Sequence, residues 1–430
     1  MAFTLNNLLS PSPPNLPKPS KNSPKTSQFI KALQTQQNSK FVITGGSKLS
    51  GHVAISGSKN AVLAILAATL CCSGTCKLKN MPSLSDTSTM LSILGSLGAE
   101  IEVLGDEVMV NTDGVRSVEP CCDEMGKIRG GFFVVGPLLA RFGEAVVALP
   151  GGCDIGARPV DLYVRGVREL GAIVELRDFK VHAHAAHGKG LVGGRFRLDY
   201  PSVGATETLM MAASMADGVT VLSNVAQEPE VVDLAHFLRE SGACVEGAGT
   251  NELFIKGRKQ LHGHEYAVIP DRIEAGTFLL AAAITRSCIS TSPVIPFHLS
   301  CLIDKLLTAG CRIKQHKQDI LEISAIPAKI NDDLCSFDVK TSPYPGCPTD
   351  LQPQTMALLT TCNGLSVIEE SVFENRMGHE SYRNLDQGYI SVGALHWFLG
   401  ETKDVSLLQC LETMENRKML YMVLVLLPLT

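Results

Sequence analysis

The segment Leu97–Val103, which reads LGAEIEV, decides the fold because three related segments follow it along the chain. They read LGAIVEL at 170–176, SGACVEG at 241–247 and AGCRIKQ at 309–315. In each copy an amphipathic stretch ends at a glycine, and a short alternating stretch follows. Glycine readily adopts the positive φ found at helix C-termini. Each copy therefore predicts a helix that ends at the glycine and leads into a strand. The spacings between Gly98, Gly171, Gly242 and Gly310 are 73, 71 and 68 residues.

A second short strand follows each of these copies, in the sequences EVMVNT, FKVHAHA, NELFIKG and DILEIS. Two short strands joined by a few turn residues indicate a hairpin. A period of about 70 residues is too long for a solenoid repeat. The pattern predicts four supersecondary units in an α/β (α+β) protein.

The repeat stops before the C-terminus. A fifth copy should fall near residue 380, about 70 residues after Gly310, but the sequence after Met377 shows no helix, glycine and strand pattern. We expect residues 378–430 to form a divergent tail that is not folded like the repeats. A frameshift or an alternative last exon would produce such a tail.

Composition limits the classes of function. A chain of 430 residues is long enough for two or three domains, and 45% hydrophobic and 19% charged residues are ordinary for a soluble globular protein. The net charge of −5 argues against nucleic acid as a partner, because such proteins carry a basic face. The apolar stretches Val62–Cys72 and Met419–Leu429 are too short to span a membrane.

The 14 cysteines are scattered, and their tightest cluster is Cys71, Cys72 and Cys76. No histidine follows this cluster at the spacing of a zinc site, so we expect neither a metal nor a cofactor. Free thiols in a reducing intracellular compartment fit this distribution.

Residues 1–40 differ in kind from the rest of the chain. They are rich in serine, proline and asparagine, they contain five lysines, and the first acidic residue of the chain is Asp86. A basic leader rich in serine and free of acidic residues is typical of an organelle transit peptide. The absence of arginine favours the plastid stroma, and the alternative is a disordered tail on a cytoplasmic protein.

The segment PGGCDIGARPVDL, Pro150–Leu162, contains a candidate nucleophile or proton donor, Cys153. Glycines around it allow positive φ and close approach to a ligand. Arg158 favours the thiolate and offers a planar set of donors to phosphate or carboxylate. The alternative is that Cys153 is a small buried hydrophobic residue beside a turn.

The chain resembles the enolpyruvyl transferase family, and within it the branch that acts on UDP-N-acetylglucosamine. The resemblance covers roughly Phe41–Met377 and rests on an ordered series of motifs. They are SGSKNA at 56–61, GPLLARFG at 136–143, PGGCDIGARPVDL at 150–162, PSVGAT at 201–206, EPEVVD at 228–233, PDRIEAGTF at 270–278, PTD at 348–350 and VFENR at 372–376.

The resemblance implies a two-domain inside-out α/β barrel of βαβαββ units, incomplete at the C-terminus. The first domain would comprise residues 41–57 and 270–377, and the second residues 58–269. The substrate cleft would lie between them, where small-molecule sites are common. The resemblance also implies arginines in a fifth and a sixth unit, for which this sequence has no counterpart. We expect a monomer whose partners are the two substrates alone.

The implied reaction transfers the enolpyruvyl group of phosphoenolpyruvate to the 3-hydroxyl of UDP-N-acetylglucosamine, the first committed step of peptidoglycan precursor synthesis. The implied catalytic residues are Cys153 as proton donor, Asp350 as general base, and Lys59 and Arg158 as phosphate ligands. The implied substrate-binding residues are Lys59, Asn60, Arg129, Arg158, Pro159, Val160, Asp161, Leu162, Tyr200, Pro201, Ser202, Val203, Asp350 and Val372.

Each of these residues also has an ordinary structural interpretation. Lys59 could be a solvated lysine at a helix N-terminus, Arg129 a surface residue, and Asp350 a turn or N-cap aspartate. Two other functions stay open at this point. One is an inactive homologue that binds at most a UDP-sugar, and the other is the shikimate-pathway enolpyruvyl transferase. The Cys153 loop and RPVDL favour the branch that acts on sugar nucleotides.

Overall fold

The computed structural model describes residues 47–152, 155, 159–186, 190–327 and 333–377. The N-terminal leader, Cys153, Arg158 and the tail after Met377 lie outside the described residues. The α-helices are α1 Lys59–Ala68, α2 Ser85–Leu97, α3 Cys122–Met125, α4 Val135–Phe142, α5 Asp161–Glu169, α6 Val203–Ala213, α7 Pro229–Glu240, α8 Arg272–Ile284, α9 Ser300–Thr308 and α10 Gln352–Leu359.

Short strands alternate with these helices. They are β1 Ser50–Ala54, β2 Cys72–Ser73, β3 Thr75–Lys79, β4 Glu100–Leu104, β5 Glu107–Asn111, β6 Glu144–Ala148, β7 Ala172–Arg177, β8 Lys180–Ala185, β9 Arg195–Arg197, β10 Val219–Ser223, β11 Cys244–Glu246, β12 Glu252–Lys256, β13 Leu261–His262, β14 Glu265–Ala267, β15 Cys288–Ser292, β16 Arg312–Lys317, β17 Ile320–Ser324, β18 Val339–Lys340 and β19 Ile368–Glu369. Short 3-10 helices occur at Thr69–Cys71, Arg129–Val134, Pro296–Leu299 and Thr349–Leu351.

The predicted helix ends and hairpins are confirmed. Gly98, Gly171, Gly242 and Gly310 have φ of 104°, 84°, 103° and 104°, and each follows the end of a helix. At Gly98 a side chain would also meet the carbonyl oxygen of Gly114 at 3.0 Å. The strand pairs β4–β5, β7–β8, β11–β12 and β16–β17 are all antiparallel.

The segment from β9 to β12 is one uninterrupted βαβαββ unit. Its order is β9, α6, β10, α7, β11, β12, and its sheet has the order β11-β12-β10-β9. The strands β9 and β10 are parallel, because α6 crosses over between them, and the last two strands form the hairpin.

Two other units take their first strand from a distant part of the chain. β1 pairs in parallel with β15 and completes the sheet β1-β15-β17-β16. β14 pairs in parallel with β3 and completes the sheet β14-β3-β5-β4. The two connecting segments run side by side: the Ser58 amide donates to the Ile269 carbonyl at 2.8 Å, and the Asp271 amide donates to the Ser56 carbonyl at 2.9 Å.

The buried apolar side chains form two separate clusters. The first draws its members from residues 61–268, with large side chains such as Phe132 and Phe237 fully buried. The second contains Ile55 and residues between 275 and 362. We use "first core" and "second core" for these clusters and the elements that supply them. No closed barrel is formed by the described strands, whose sheets are separate and have two to four strands each.

The expectation of free thiols throughout is wrong at one pair. Cys301 at the start of α9 and Cys347 are joined by a disulfide, with their Cα atoms 5.6 Å apart. Sequence spacing could not reveal this pair, because 46 residues separate the two cysteines. Cys71, Cys72 and Cys76 are free and buried in the first core. None of the helices among the described residues is long and apolar enough to cross a membrane.

Candidate active site

Asp350 lies at the centre of a polar group where the two cores meet. It stands in the 3-10 turn that leads into α10. Arg376 Nη2 is 2.8 Å from one carboxylate oxygen of Asp350. Asn60 Nδ2 donates to the other oxygen at 3.5 Å. Asn60 and Asp350, which are 290 positions apart in the sequence, are thus in contact, and the side chain of Asp350 keeps 37% of its surface exposed.

The N-terminus of α1 supplies positive charge to this group. Ser58 caps the helix by accepting from the Ala61 amide at 3.4 Å, which leaves Lys59 and Asn60 in the first turn. Lys59 Nζ lies 3.6 Å from Asp86 Oδ2. The first turn of a helix carries partial positive charge and free N–H groups. Lys59 adds a full charge at the same place, so the arrangement suits an anionic ligand.

Asp271 ties the first turns of α1 and α8 together. One carboxylate oxygen accepts from the Lys59 amide at 3.0 Å, and the other accepts from the amides of Ile273 and Glu274 at 2.7 and 2.9 Å. It therefore caps α8 and fixes the start of α1 at the same time. Burial is the main reason why the pKa of Asp271 is raised, and these hydrogen bonds oppose that rise.

Behind this surface lies a buried ion pair between the cores. Arg272, in the first turn of α8, contacts both carboxylate oxygens of Glu230 on α7, at 2.9 and 3.2 Å. The side chains of Arg272 and Glu230 expose only 9% and 3% of their surfaces. The guanidinium also lies 5.5 Å from the ring centre of Tyr344. The pair holds α8 of the second core against α7 of the first core.

Glu370 organises the backbone beside Asp350, a role that sequence reasoning missed. Its carboxylate accepts from the hydroxyls of Thr341 and Thr349, both at 2.8 Å. It also accepts from the Val372 amide at 2.8 Å and the Phe373 amide at 3.2 Å. This carboxylate follows the short strand β19 directly, but a glutamate after a two-residue strand carries no recognisable sequence signal.

Surrounding charges keep Asp350 ionised. Desolvation by itself would raise the pKa of the carboxyl, but the charges of Arg376, Lys59 and Arg272 outweigh it. The net result is a pKa below the ordinary value for aspartate. A carboxylate held in this way is available as a hydrogen-bond acceptor or base at neutral pH.

Replacing Arg376 by glutamine should raise the pKa of Asp350, because it removes the charge that lowers this pKa most. If Asp350 acts as a base, kcat/KM falls on the acid side as this carboxylate is protonated. The acid limb of the pH profile of kcat/KM should therefore move to higher pH in the variant, whatever its maximal rate. An acid limb at the wild-type pH would contradict the role of this ion pair. Arg312→Gln, an exposed change in β16, is the matched control.

The segments predicted to bind the nucleotide begin two neighbouring helices. Pro159 and Val160 precede α5, and Asp161 and Leu162 start it, with Leu162 buried in the first core. Tyr200 and Pro201 precede α6, Ser202 caps it, and Val203 starts it. The exposed residues of these two segments are thus Pro159, Asp161 and Tyr200.

Two contacts bring these helix starts together. A side chain at Gly204 would lie 2.0 Å from the Tyr163 hydroxyl, so only glycine permits this close approach of α6 to α5. Arg165 bridges the two segments, with one guanidinium nitrogen 3.7 Å from Asp161 and 2.6 Å from Asp199. Sequence reasoning did not single out Arg165, which stands one turn into α5 and resembles any exposed helix arginine.

In the Pro150–Leu162 segment the predicted positive φ is confirmed at Gly152, and both Gly151 and Gly152 lie close to another part of the chain. A side chain at Gly151 would lie 1.7 Å from the Gly126 carbonyl oxygen, and one at Gly152 would lie 3.1 Å from the Arg129 amide nitrogen. Their close approach is to the protein's own backbone, and Gly152 has a φ of 102°. The glycines therefore seat the start of the Cys153 loop against Arg129, the first residue of a 3-10 helix.

A hydrogen bond of Ile155, a described residue of this loop, connects it to the chain beside Arg376. The Asn375 amide donates to the Ile155 carbonyl at 3.1 Å, one residue from Arg376. The charge of Arg129 also lowers the pKa of Tyr200, against the larger effects of desolvation and Asp161, so the two side chains interact electrostatically. Cys153 and Arg158 lie outside the described residues, and their contacts stay predictions.

The predicted site residues therefore fall into two groups. Lys59, Asn60 and Asp350 come together around Arg376, which the sequence prediction had not included. Asp161, Tyr200 and Arg129 are linked through electrostatic contacts and Arg165. Val372 lies beside the first group, but its amide is used by Glu370.

Solved proteins with a similar fold include enolpyruvyl transferases. The fold is similar to that of the enolpyruvyl transferase NikO from Streptomyces tendae, with a TM-score of 0.69, 24% identity and 78% of each chain covered. It is also similar to EPSP synthase from Acinetobacter baumannii, with a TM-score of 0.57, 18% identity, and 76% of this chain and 75% of that chain covered. These likenesses define the class by its fold.

Sequence comparison places the chain within this class. The family described as EPSP synthase (3-phosphoshikimate 1-carboxyvinyltransferase) matches residues 43–382. The UDP-N-acetylglucosamine 1-carboxyvinyltransferase of Nostoc sp. is 48% identical over 343 residues, which cover 80% of this chain and 76% of that protein. The enzyme of the same name from Synechocystis sp. is 47% identical over 338 residues, 78% of this chain and 76% of that one. The chain belongs to the UDP-N-acetylglucosamine 1-carboxyvinyltransferase family of enolpyruvyl transferases.

Proposed function

We propose that this protein transfers the enolpyruvyl (carboxyvinyl) group of phosphoenolpyruvate to the 3-hydroxyl of UDP-N-acetylglucosamine and releases phosphate. In a bacterial-type cell wall this is the first committed step of peptidoglycan precursor synthesis. The observation that carries the proposal is the ionised Asp350 held between Asn60 and Arg376, beside Lys59 and the start of α1. A base and a cationic anion site at one place are what this addition and elimination require.

The proposed chemistry has two steps. The methylene carbon of phosphoenolpyruvate takes up a proton, and the sugar 3-hydroxyl attacks the adjacent carbon while Asp350 accepts its proton. The resulting tetrahedral adduct then loses a proton from the new methyl group and expels phosphate. Cys153 is the proposed proton donor. Lys59 and Arg158 are the proposed phosphate ligands, and Arg376 is a further cation within reach of the carboxylate-bearing substrate.

The second substrate would lie across the starts of α5 and α6. Pro159 and Val160 offer an apolar surface to a base, while Asp161 can accept from uracil N–H. The remaining proposed contacts come from Arg129 and Leu162, and from the segment Tyr200, Pro201, Ser202 and Val203. The Val372 amide donates to Glu370. We therefore propose that Val372 contacts the sugar through its carbonyl oxygen.

The domain division follows the same proposal. We assign residues 41–57 and 270–377 to one domain and residues 58–269 to the other, each an inside-out arrangement of βαβαββ units, in a monomeric enzyme. The two apolar clusters and the paired connections at Ser58–Ile269 and Ser56–Asp271 support this division. The cleft would then lie along the contact between α1, α8 and the Asp350 turn.

A phosphate-release assay with both substrates tests the proposal. Release that requires phosphoenolpyruvate and UDP-N-acetylglucosamine together supports it. Release with shikimate 3-phosphate in place of the sugar nucleotide would instead identify the shikimate-pathway activity. The family match ends at residue 382 of 430, which keeps a second candidate open. Binding of UDP-N-acetylglucosamine in calorimetry without any turnover would identify an inactive sugar-nucleotide binder.

We further propose that residues 1–40 direct the protein to the plastid stroma. The support is compositional: five lysines, many serines and no acidic residue before Asp86. A fluorescent protein fused behind residues 1–40 should enter plastids of a plant cell. Replacing the five lysines by glutamates in the same fusion should abolish import, because transit peptides are poor in acidic residues. Cytosolic fluorescence from the unaltered fusion would overturn the assignment.

A further inference from the structure

The disulfide between Cys301 and Cys347 lies next to the candidate base. Cys347 precedes Asp350 by three residues, and Cys301 is the second residue of α9. Both cysteines are half-buried. The pair therefore links a helix of the second core to the segment that carries Asp350, which we call the Tyr344–Asp350 segment.

Noncovalent contacts also hold this segment: Thr349 donates to Glu370, Asp350 pairs with Arg376, and the Tyr344 ring lies beside the Arg272 guanidinium. The Ser342 amide donates to the Cys347 carbonyl at 3.0 Å, and the Gly346 amide donates to the Pro343 carbonyl at 2.9 Å, so these bonds stay within the turn. The segment is also bonded to the first core, because the Tyr344 amide donates to Glu228 Oε1 at 3.2 Å. The disulfide is its covalent tie to α9 and adds to these contacts.

We propose that Cys301–Cys347 is a reversible thiol–disulfide modification site that sets how firmly Asp350 is held, and hence the turnover of the proposed reaction. The inference about turnover rests on the proposed function, whereas the inference about order does not. In the oxidised form the turn is fixed against α9, and Asp350 keeps its contacts with Asn60 and Arg376. In the reduced form the turn is held by its noncovalent contacts alone, which include those with Glu228, Glu370 and Arg376.

Both cysteines are half-buried, so part of each remains exposed to a reductant. A small pocket lies beside Cys301 and is also lined by His298, Ser300, Tyr344, Gly346 and Pro348. Every other described cysteine is a free thiol, including the exposed Cys121, Cys122 and Cys335. Among the described residues, a reductant therefore has this one disulfide to act on.

The partner reactant would be a dithiol, either a small molecule or a protein with two neighbouring cysteines. One thiolate of the dithiol attacks a sulfur of the pair and forms a mixed disulfide, and the other pair sulfur leaves as a thiolate and takes up a proton. The second thiolate of the dithiol then displaces the remaining cysteine. Two electrons pass to the protein, which gains two thiols, and the dithiol becomes a disulfide.

Reduction should loosen the segment without unfolding the protein. Opening a cross-link that spans 46 residues removes a constraint on the unfolded chain, and Tm should fall by about 3–6 °C. Amide hydrogen exchange in the Tyr344–Asp350 segment should become about tenfold faster or more. If the protein turns over, kcat for phosphate release should fall in parallel.

The experiment compares the full-length chain before and after treatment with dithiothreitol. Differential alkylation with mass spectrometry counts the thiols at Cys301 and Cys347, and hydrogen exchange reports the order of the segment. The variant Cys301→Ser should behave like the reduced protein with or without dithiothreitol. Cys335→Ser, at an exposed free cysteine in the same core, should behave like the wild type.

The outcomes separate this inference from the proposed function. Faster exchange on reduction together with absent phosphate release supports the switch and contradicts the proposed activity. Normal phosphate release with unchanged exchange, unchanged Tm and unchanged kcat overturns the switch and leaves the activity intact. Alkylation that finds Cys301 and Cys347 as thiols before any reductant is added, in protein purified under air, also overturns it.

Discussion

The variant Asp350→Asn should lose at least about a hundredfold in kcat for phosphate release, the low end for a missing general base. The amide is nearly the same size as the carboxylate, and its carbonyl oxygen can still accept from Arg376 or Asn60. It cannot take the proton of the attacking hydroxyl. The substitution also removes the negative charge of Asp350, which Lys59 and Arg376 stabilise. Binding of the anionic substrates should therefore strengthen or stay unchanged. A large fall in kcat with little change in the affinity for UDP-N-acetylglucosamine is therefore expected.

Steady-state phosphate release and calorimetry on the same preparation check this result. Asp304→Asn is the matched control, because Asp304 is an exposed aspartate on α9 of the same core. It should leave both quantities within about twofold of the wild type, as surface changes generally do. An Asp350→Asn protein with more than a tenth of the wild-type kcat would remove Asp350 from the role of base.

The variant Glu230→Gln should lower the free energy of unfolding by about 3–5 kcal/mol, the usual range when one partner of a buried ion pair is removed. Arg272 is 9% exposed and contacts both oxygens of Glu230, so the change leaves a buried guanidinium without its counter-charge. Since the pair joins α7 to α8, the loss should also weaken the attachment between the two cores. Urea denaturation followed by fluorescence and circular dichroism measures both effects.

Glu369→Gln provides the comparison for this second variant. Glu369 pairs with Lys340 at the surface, where the two side chains expose 55% and 62%. Exposed pairs contribute about 0–1 kcal/mol, so the control should stay close to the wild type. Equal stability losses in the two variants would show that the buried position of Glu230 has no special importance.

Local signals in the sequence foretold the repeated units well. A glycine after an amphipathic stretch has few alternatives to ending a helix, and all four glycines do so. The parallel pairing of β1 with β15 could not be read in the same way, because it joins segments more than 200 residues apart and depends on the whole fold. The resemblance to a known family, rather than any periodicity, suggested that the chain crosses between the cores.

The candidate site also combines residues that the sequence predicted with residues that only the tertiary structure reveals. Asp350, Lys59 and Asn60 stand in recognisable motifs, and the structure brings them together. Arg376 was part of a quoted motif but had no predicted role, since its pairing with Asp350 is a tertiary contact. Glu370, Arg165 and the Cys301–Cys347 pair lack any local pattern. The positive φ predicted for the Gly151–Gly152 pair is present at Gly152, whereas the close approach to Gly126 could not be predicted, because close approach to the chain and close approach to a ligand look alike in a sequence.

The pairing of β1 with β15 has a consequence for synthesis on the ribosome. Ser50 emerges 238 residues before its partner Cys288. At about 5–20 residues per second, translation would leave β1 without its sheet for roughly 10–50 seconds. The first core needs only the chain up to Ala267 to receive its last strand, β14. In nascent chains the first core should therefore fold first. The strand β1 should stay unpaired and available to chaperones until the ribosome has synthesised β15.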